Sequence, residues 1–208
     1  MKTLVLPVSS LDTLPRALEI LRGGGLVAFP TDTVYGVGSL AFKAAAVESI
    51  YAAKNRPNEK AIPVLLGGAE DLAKVVASIP PMALTLAARF WPGPLTLVLP
   101  KHPDLPEVVS ATATVGVRVP DHPAARRLLQ AAGPMAVTSA NLSGHVSPST
   151  AEEVFEQLSG RIALILDGGR TPGGVSSTVV DCVGAEPKVL REGPIPWGEI
   201  ARVLGLEL

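Results

Sequence analysis

Nine short β-type runs, none longer than six residues, set the narrowest limit on what this chain can fold into. They fall at 3–6, 26–29, 62–66, 95–99, 115–119, 135–137, 162–166, 178–183 and 189–190. Runs this short, rich in Val, Leu and Ile, predict strands. Helical spacing lies between some of them. Leu14, Ala17, Leu18 and Leu21 share one face before Gly23, Gly24 and Gly25 stop the helix. Val47, Ile50, Tyr51 and Lys54 repeat that spacing, and further helices are predicted over 70–77, 82–90, 124–132, 151–158 and 199–204. Ser149 followed by Glu152 has the spacing of a capping box and predicts a helix start there. Strands outnumber helices, and several adjoin without one between them. The predicted fold class is α/β: a large, twisted, mixed sheet with flanking helices rather than a purely parallel one.

Size and charge narrow the function. The chain has 208 residues, and 47% of them are hydrophobic. That length predicts one domain over residues 1–208, burying roughly 70% of its unfolded surface. With 18 basic and 19 acidic residues the net charge is −1, which excludes a chain basic all over, so any basic site must be local. Aromatics make up 4%, which weakens any reading based on a base-stacking platform. The single cysteine, Cys182, excludes a disulfide framework and a cysteine-based zinc cluster, and its apolar run predicts a core position. His102, His122 and His145 are scattered with no metal-ligand spacing, so no metal site is predicted. No apolar run approaches the roughly 20 residues of a membrane span. The opening Met1–Pro7 segment lacks a signal-peptide pattern. These features predict a soluble protein of the reducing cytoplasm, with no membrane partner.

Four polar loops carry more detail than packing needs. Residues 29–38 run Phe-Pro-Thr-Asp-Thr-Val-Tyr-Gly-Val-Gly. Hydroxyls after a strand can hold a small polar ligand, and glycine lets backbone approach it. An ordinary turn, with Asp32 bonding its own backbone, fits as well. Residues 53–60 place Lys54, Arg56 and Lys60 just past a helix end. They read either as an anion clamp or as cations solvating a helix C-terminus. Residues 137–144, Val-Thr-Ser-Ala-Asn-Leu-Ser-Gly, lie between a strand and a capped helix, where nucleotides often bind. A plain Ser/Asn turn is the alternative. Residues 167–178 are glycine-rich and suit a phosphate cradle or a lid, with 168–174 the candidate mobile segment; they lack the Walker A pattern. Arg118 stands apart. In 115–119 the valines alternate onto one face, leaving Gly116 and Arg118 on the other. Arg118 therefore either caps a sheet edge or points into a polar cavity.

Taken in order, these segments resemble the YrdC-like family over about residues 11–193. The Lys-x-Arg and Ser-x-Asn pairs that mark the family stand here as Lys54/Arg56 and Ser139/Asn141. The resemblance, closest to the family's single-domain form, implies a twisted α/β sheet with a concave, locally basic cavity. It implies synthesis of threonylcarbamoyl-AMP and pyrophosphate from ATP, L-threonine and bicarbonate, a nucleotidyltransferase reaction with Mg²⁺ accompanying ATP. A separate transferase would then pass the threonylcarbamoyl group to tRNA beside the anticodon. Residue by residue, it implies that Thr33, Arg118, Val137 and Ser177 hold threonine. Arg56, Lys60, Thr114, Ser139, Ser147 and Arg191 would surround ATP, and Lys54 and Asn141 would complete the catalytic set with Arg56 and Ser139. Some relatives carry a His in the strand after the Lys/Arg loop; this chain reads Pro63-Val64-Leu65-Leu66, where Leu65 offers a ligand only its backbone. Two other readings share the residues: a paralogue acting on another carbamoyl-type substrate, and an RNA-binding module using the basic face. Against direct RNA contact stand the net charge and the scarcity of aromatics.

Overall fold

The computed structural model describes residues 2–172 and 174–207. Its strands are β1 (Leu4–Pro7), β2 (Val27–Phe29), β3 (Gly36–Leu40), β4 (Val64–Leu65), β5 (Leu95–Pro100), β6 (Thr114–Arg118), β7 (Met135–Ser139), β8 (Leu164–Asp167), β9 (Thr178–Asp181) and β10 (Lys188–Arg191). Helices are α1 (Thr13–Arg22), α2 (Ala44–Lys54), α3 (Pro81–Phe90), α4 (Pro123–Ala132), α5 (Ala151–Leu158) and α6 (Trp197–Leu204). All ten strands join one mixed sheet in the order β1-β8-β2-β3-β7-β4-β6-β5-β9-β10. Four parallel pairs (β1/β8, β2/β8, β4/β6, β5/β9) are mixed with five antiparallel ones, as the absence of helices between several runs predicts.

Three details differ from the sequence reading. β3 was hidden inside the polar loop, because two of its five residues are glycines. A Cβ at Gly38 would stand 2.4 Å from the Ala136 carbonyl oxygen, so only glycine lets β3 pair with β7 there. The predicted helix at 70–77 is a 3-10 helix over Ala69–Lys74. It ends before the β-branched pair Val75-Val76, and Val76 bridges to Lys101 instead. The helix cap lies one residue past the predicted position. Thr150 accepts from the Glu153 amide, and Glu153 reaches back to the Ser149 amide at 2.6 Å.

Strand alternation sorts two cores onto the two faces of the sheet. Leu95, Leu97 and Leu99 of β5 and Val115 and Val117 of β6 join one core with α2, α3, α5 and α6. Cys182 lies there too, fully buried. The other core unites α1 and α4 with β2, β7 and β8 and includes Phe29, Leu65, Met135 and Leu164. Each fully buried Leu or Phe in these cores contributes about 1.5–3 kcal/mol. No β5, β6 or β9 residue joins the second core. On that face α1 and α4 cover one half of the sheet. The other half presents Thr96 and Arg118 to a cleft.

Candidate active site

The cleft encloses about 260 Å³ and is lined by residues of β3, β4, β5, β6, β7 and β10 and their loops. Its wall carries three arginines (Arg56, Arg118 and Arg191), seven Ser or Thr residues and no carboxylate. That lining complements a small polyanion.

Arg118 forms its floor. β6 lies between β4 and β5, so Arg118 caps no edge and points into the cavity. Its Nε donates to the Gly93 carbonyl at 3.0 Å, Nη1 to Thr33 Oγ1 at 3.1 Å and Nη2 to Asp32 Oδ1 at 2.5 Å. Three of the five guanidinium N–H groups are thus engaged and two remain. Burial lowers the Arg118 pKa, and the Asp32 charge opposes that shift. Asp32 therefore does not close a local turn on itself. Its Oδ1 also accepts from the Asp121 amide, tying the β2–β3 loop to the segment after β6. Thr31 makes the turn instead: its hydroxyl donates to the Val34 carbonyl and accepts from the Thr33 amide.

Ser177 closes one side. Its hydroxyl meets Thr96 Oγ1 at 2.8 Å, and Arg191 donates to both its carbonyl and its hydroxyl. Burial lowers the pKa of Arg191 and, on the opposite rim, of Arg56. Arg56 folds its own loop by donating to the carbonyls of Lys60 and Ala61. Leu65 and Val137 supply apolar floor beside them.

Of the residues singled out in the sequence, Thr33, Arg56, Arg118, Val137, Ser139, Ser177 and Arg191 come together on this cleft. Lys54, Lys60, Thr114, Asn141 and Ser147 do not line it. Lys54 is 1% exposed, and its ammonium donates to the carbonyls of Ser139 (2.5 Å) and Asn141. Burial, with Arg56 nearby, lowers its pKa to about 7. Asn141 spans its own loop, its amide nitrogen donating to the carbonyls of Leu142 and His145. Both residues thus shape the loop that presents Ser139. The Lys60 side chain is exposed, Thr114 bonds Thr112, and Ser147 is half-buried. Part of the candidate mobile segment, Gly173, lies outside the described residues. Gly174 donates to the Thr33 carbonyl, and Tyr35 holds both Gly168 and Gly169. Thr96, not among the residues singled out in the sequence, also lines the cleft. Its signal was the alternation in β5, which sets it opposite the leucines and on the Arg118 face.

Among the described residues no group of three or more His, Cys, Asp or Glu gathers as a metal site. No helix among them is long and apolar enough to cross a membrane.

Fold and cleft together define an α/β protein whose half-covered mixed sheet carries an anion-complementary cleft. The family model Sua5/YciO/YrdC, described as telomere recombination, matches residues 19–193. The chain is 46% identical to threonylcarbamoyl-AMP synthase of Bacillus subtilis over 92% of its own length and 56% of that protein. It is 43% identical to a putative threonylcarbamoyl-AMP synthase of Mycobacterium tuberculosis, covering 92% of this chain and 88% of the relative. Among solved structures, Pyrococcus abyssi Sua5 complexed with L-threonine superposes with a TM-score of 0.93 at 41% identity, covering 99% of this chain and 61% of that one. The chain belongs to the Sua5/YciO/YrdC family. It spans just over half the length of the Bacillus relative.

Proposed function

We propose that this chain synthesises threonylcarbamoyl-AMP from ATP, L-threonine and bicarbonate, releasing pyrophosphate. The observation that carries this reading is Arg118, a buried guanidinium with two unspent N–H groups on the floor of a hydroxyl-lined cleft. Such a fork suits an amino-acid carboxylate. The names of the relatives, and the threonine bound to Pyrococcus abyssi Sua5, support threonine as the amino acid.

In this reading the threonine carboxylate meets Arg118, while Thr33, Ser177 and the backbone at Val137 fix its polar groups. The amine adds to the carbon of bicarbonate with loss of water, giving a carbamate. A carbamate oxygen then attacks the α-phosphorus of ATP, and the bond to pyrophosphate breaks. The protein contributes positioning and charge neutralisation rather than a covalent intermediate. Arg56 and Arg191 offset charge on the phosphates, and Ser139 donates beside them. Lys60, Thr114 and Ser147 belong to an ATP site wider than the cleft, and Lys54 and Asn141 hold the Ser139 loop in place. Mg²⁺ would arrive with ATP, held by its phosphates, because the polar side chains facing the cleft are cations and hydroxyls, with no carboxylate among them. A downstream transferase would carry the group to tRNA in the cytoplasm.

The test is pyrophosphate release from ATP with Mg²⁺, with threonine and bicarbonate added separately and together, and the product weighed by mass spectrometry. Release that needs both, with a threonylcarbamoyl-AMP mass, is expected. Release without threonine dependence would assign the cleft to another carbamoyl-type substrate. ATP binding without release, and RNA affinity falling steeply with salt, would favour a binding module.

A further inference from the structure

A second cleft lies between the 3-10 helix Ala69–Lys74, α3 and the start of α4, and it shares no lining residue with the first. It encloses about 350 Å³, within the range of about 300–1,000 Å³ usual for small-molecule sites. Its walls are mainly apolar, including Leu72, Ile79, Leu84, Ala87 and Trp91. Leu84 is 53% exposed, unusual for a leucine beside so much apolar surface.

One charge has no partner there. Arg126 lines the cleft, and its Nε is buried with no hydrogen-bond acceptor. Among the described residues its guanidinium makes no ion pair. Glu70 is the one acid on the wall, and both its carboxylate oxygens lie where a Cβ on Gly68 would stand, at 2.2 Å. That carboxylate is turned back against Gly68. A buried donor left unmade costs about 1–3 kcal/mol, so an acceptor supplied from outside recovers a real penalty.

We propose that this cleft binds a small carboxylate with an apolar body, its head on Arg126 and its body against Leu84, Ala87 and Trp91. The inference does not rest on the proposed synthase activity. An apolar wall alone would take any greasy fragment; an unpaired guanidinium inside it selects an anion, and the volume limits the body to one ring or a short chain.

The probe is 4-phenylbutyrate, titrated against the full chain carrying Trp197→Phe, so that fluorescence reports Trp91. Calorimetry of the unaltered chain runs in parallel. Saturable binding at or below about 1 mM is expected. Arg126→Gln should weaken it at least about tenfold, the value of one charge-assisted hydrogen bond. The uncharged 4-phenylbutan-1-ol should bind correspondingly worse. Ala88→Phe, at an exposed position on the cleft wall, should block binding while leaving the melting temperature unchanged. No saturation by either method, equal affinity for the alcohol, or equal affinity in a folded Arg126→Gln protein would overturn the assignment.

Discussion

Arg118 and Asp32, 86 residues apart in sequence, meet at 2.5 Å with side chains only 7% and 11% exposed. The pair joins the end of β6 to the loop between β2 and β3, and so fixes where the guanidinium points. Asp32→Asn leaves a buried cation without its counter-ion. Loss of one member of a buried pair costs about 3–5 kcal/mol, a fall in melting temperature of roughly 10 °C. Calorimetric melts check it.

If Arg118 holds the amino acid as proposed, Arg118→Ala is expected to raise the threonine KM far more than the ATP KM. Steady-state pyrophosphate release measures both. Equal increases would remove Arg118 from the proposed threonine contacts.

Lys54 carries a pH signature. Its folded pKa is lowered to about 7 from 10.5, chiefly by burial. Between those values the unfolded chain holds the proton and the folded chain does not, so stability rises as pH climbs through that window. Below about pH 7 both states are protonated and the contribution is flat. From pH 7 to 9 the gain is about 2 kcal/mol. Urea midpoints at both pH values should show it in the unaltered protein and lose it in Lys54→Met.

Gly38→Ala should destabilise the sheet by about 1–3 kcal/mol. The new Cβ would lie 2.4 Å from the Ala136 carbonyl oxygen and 2.7 Å from Val137 Cγ2, and the backbone oxygen cannot move aside. A drop in melting temperature of roughly 2–10 °C would register it.

Cys182 is fully buried, and burial pushes its thiol up to about 12. Iodoacetamide at pH 8 should leave it unmodified in the native protein and alkylate it fully in urea. Mass spectrometry distinguishes the two, and rapid native alkylation would contradict its place in the core.

Much of this fold is legible in one dimension. The nine runs each mark a strand, because Val, Leu and Ile at period two register burial locally. Six of the seven segments with helical spacing became α-helices for the same reason. β3 was not legible: Gly36 and Gly38 owe their places to close packing against β7, a contact about 100 residues away. Within the site, Arg118 was conspicuous, since a charge inside an alternating valine run demands a partner. Asp32 was not, because an aspartate in a turn has a local explanation that only the distant guanidinium overrules. Lys54 and Arg56 looked alike in sequence, yet one is turned inward onto loop carbonyls and the other faces the cleft.

The sequence by itself determined the elements, the α/β class and the polar segments that matter, because propensity, periodicity and turn chemistry act over a few residues. The family followed from motifs in their order. Strand order, the half of the sheet left uncovered and the partner of each charge were decided only by the tertiary structure. Those depend on contacts between residues far apart in the chain, and no local pattern records which distant surface will close over a side chain and which will leave it facing a ligand.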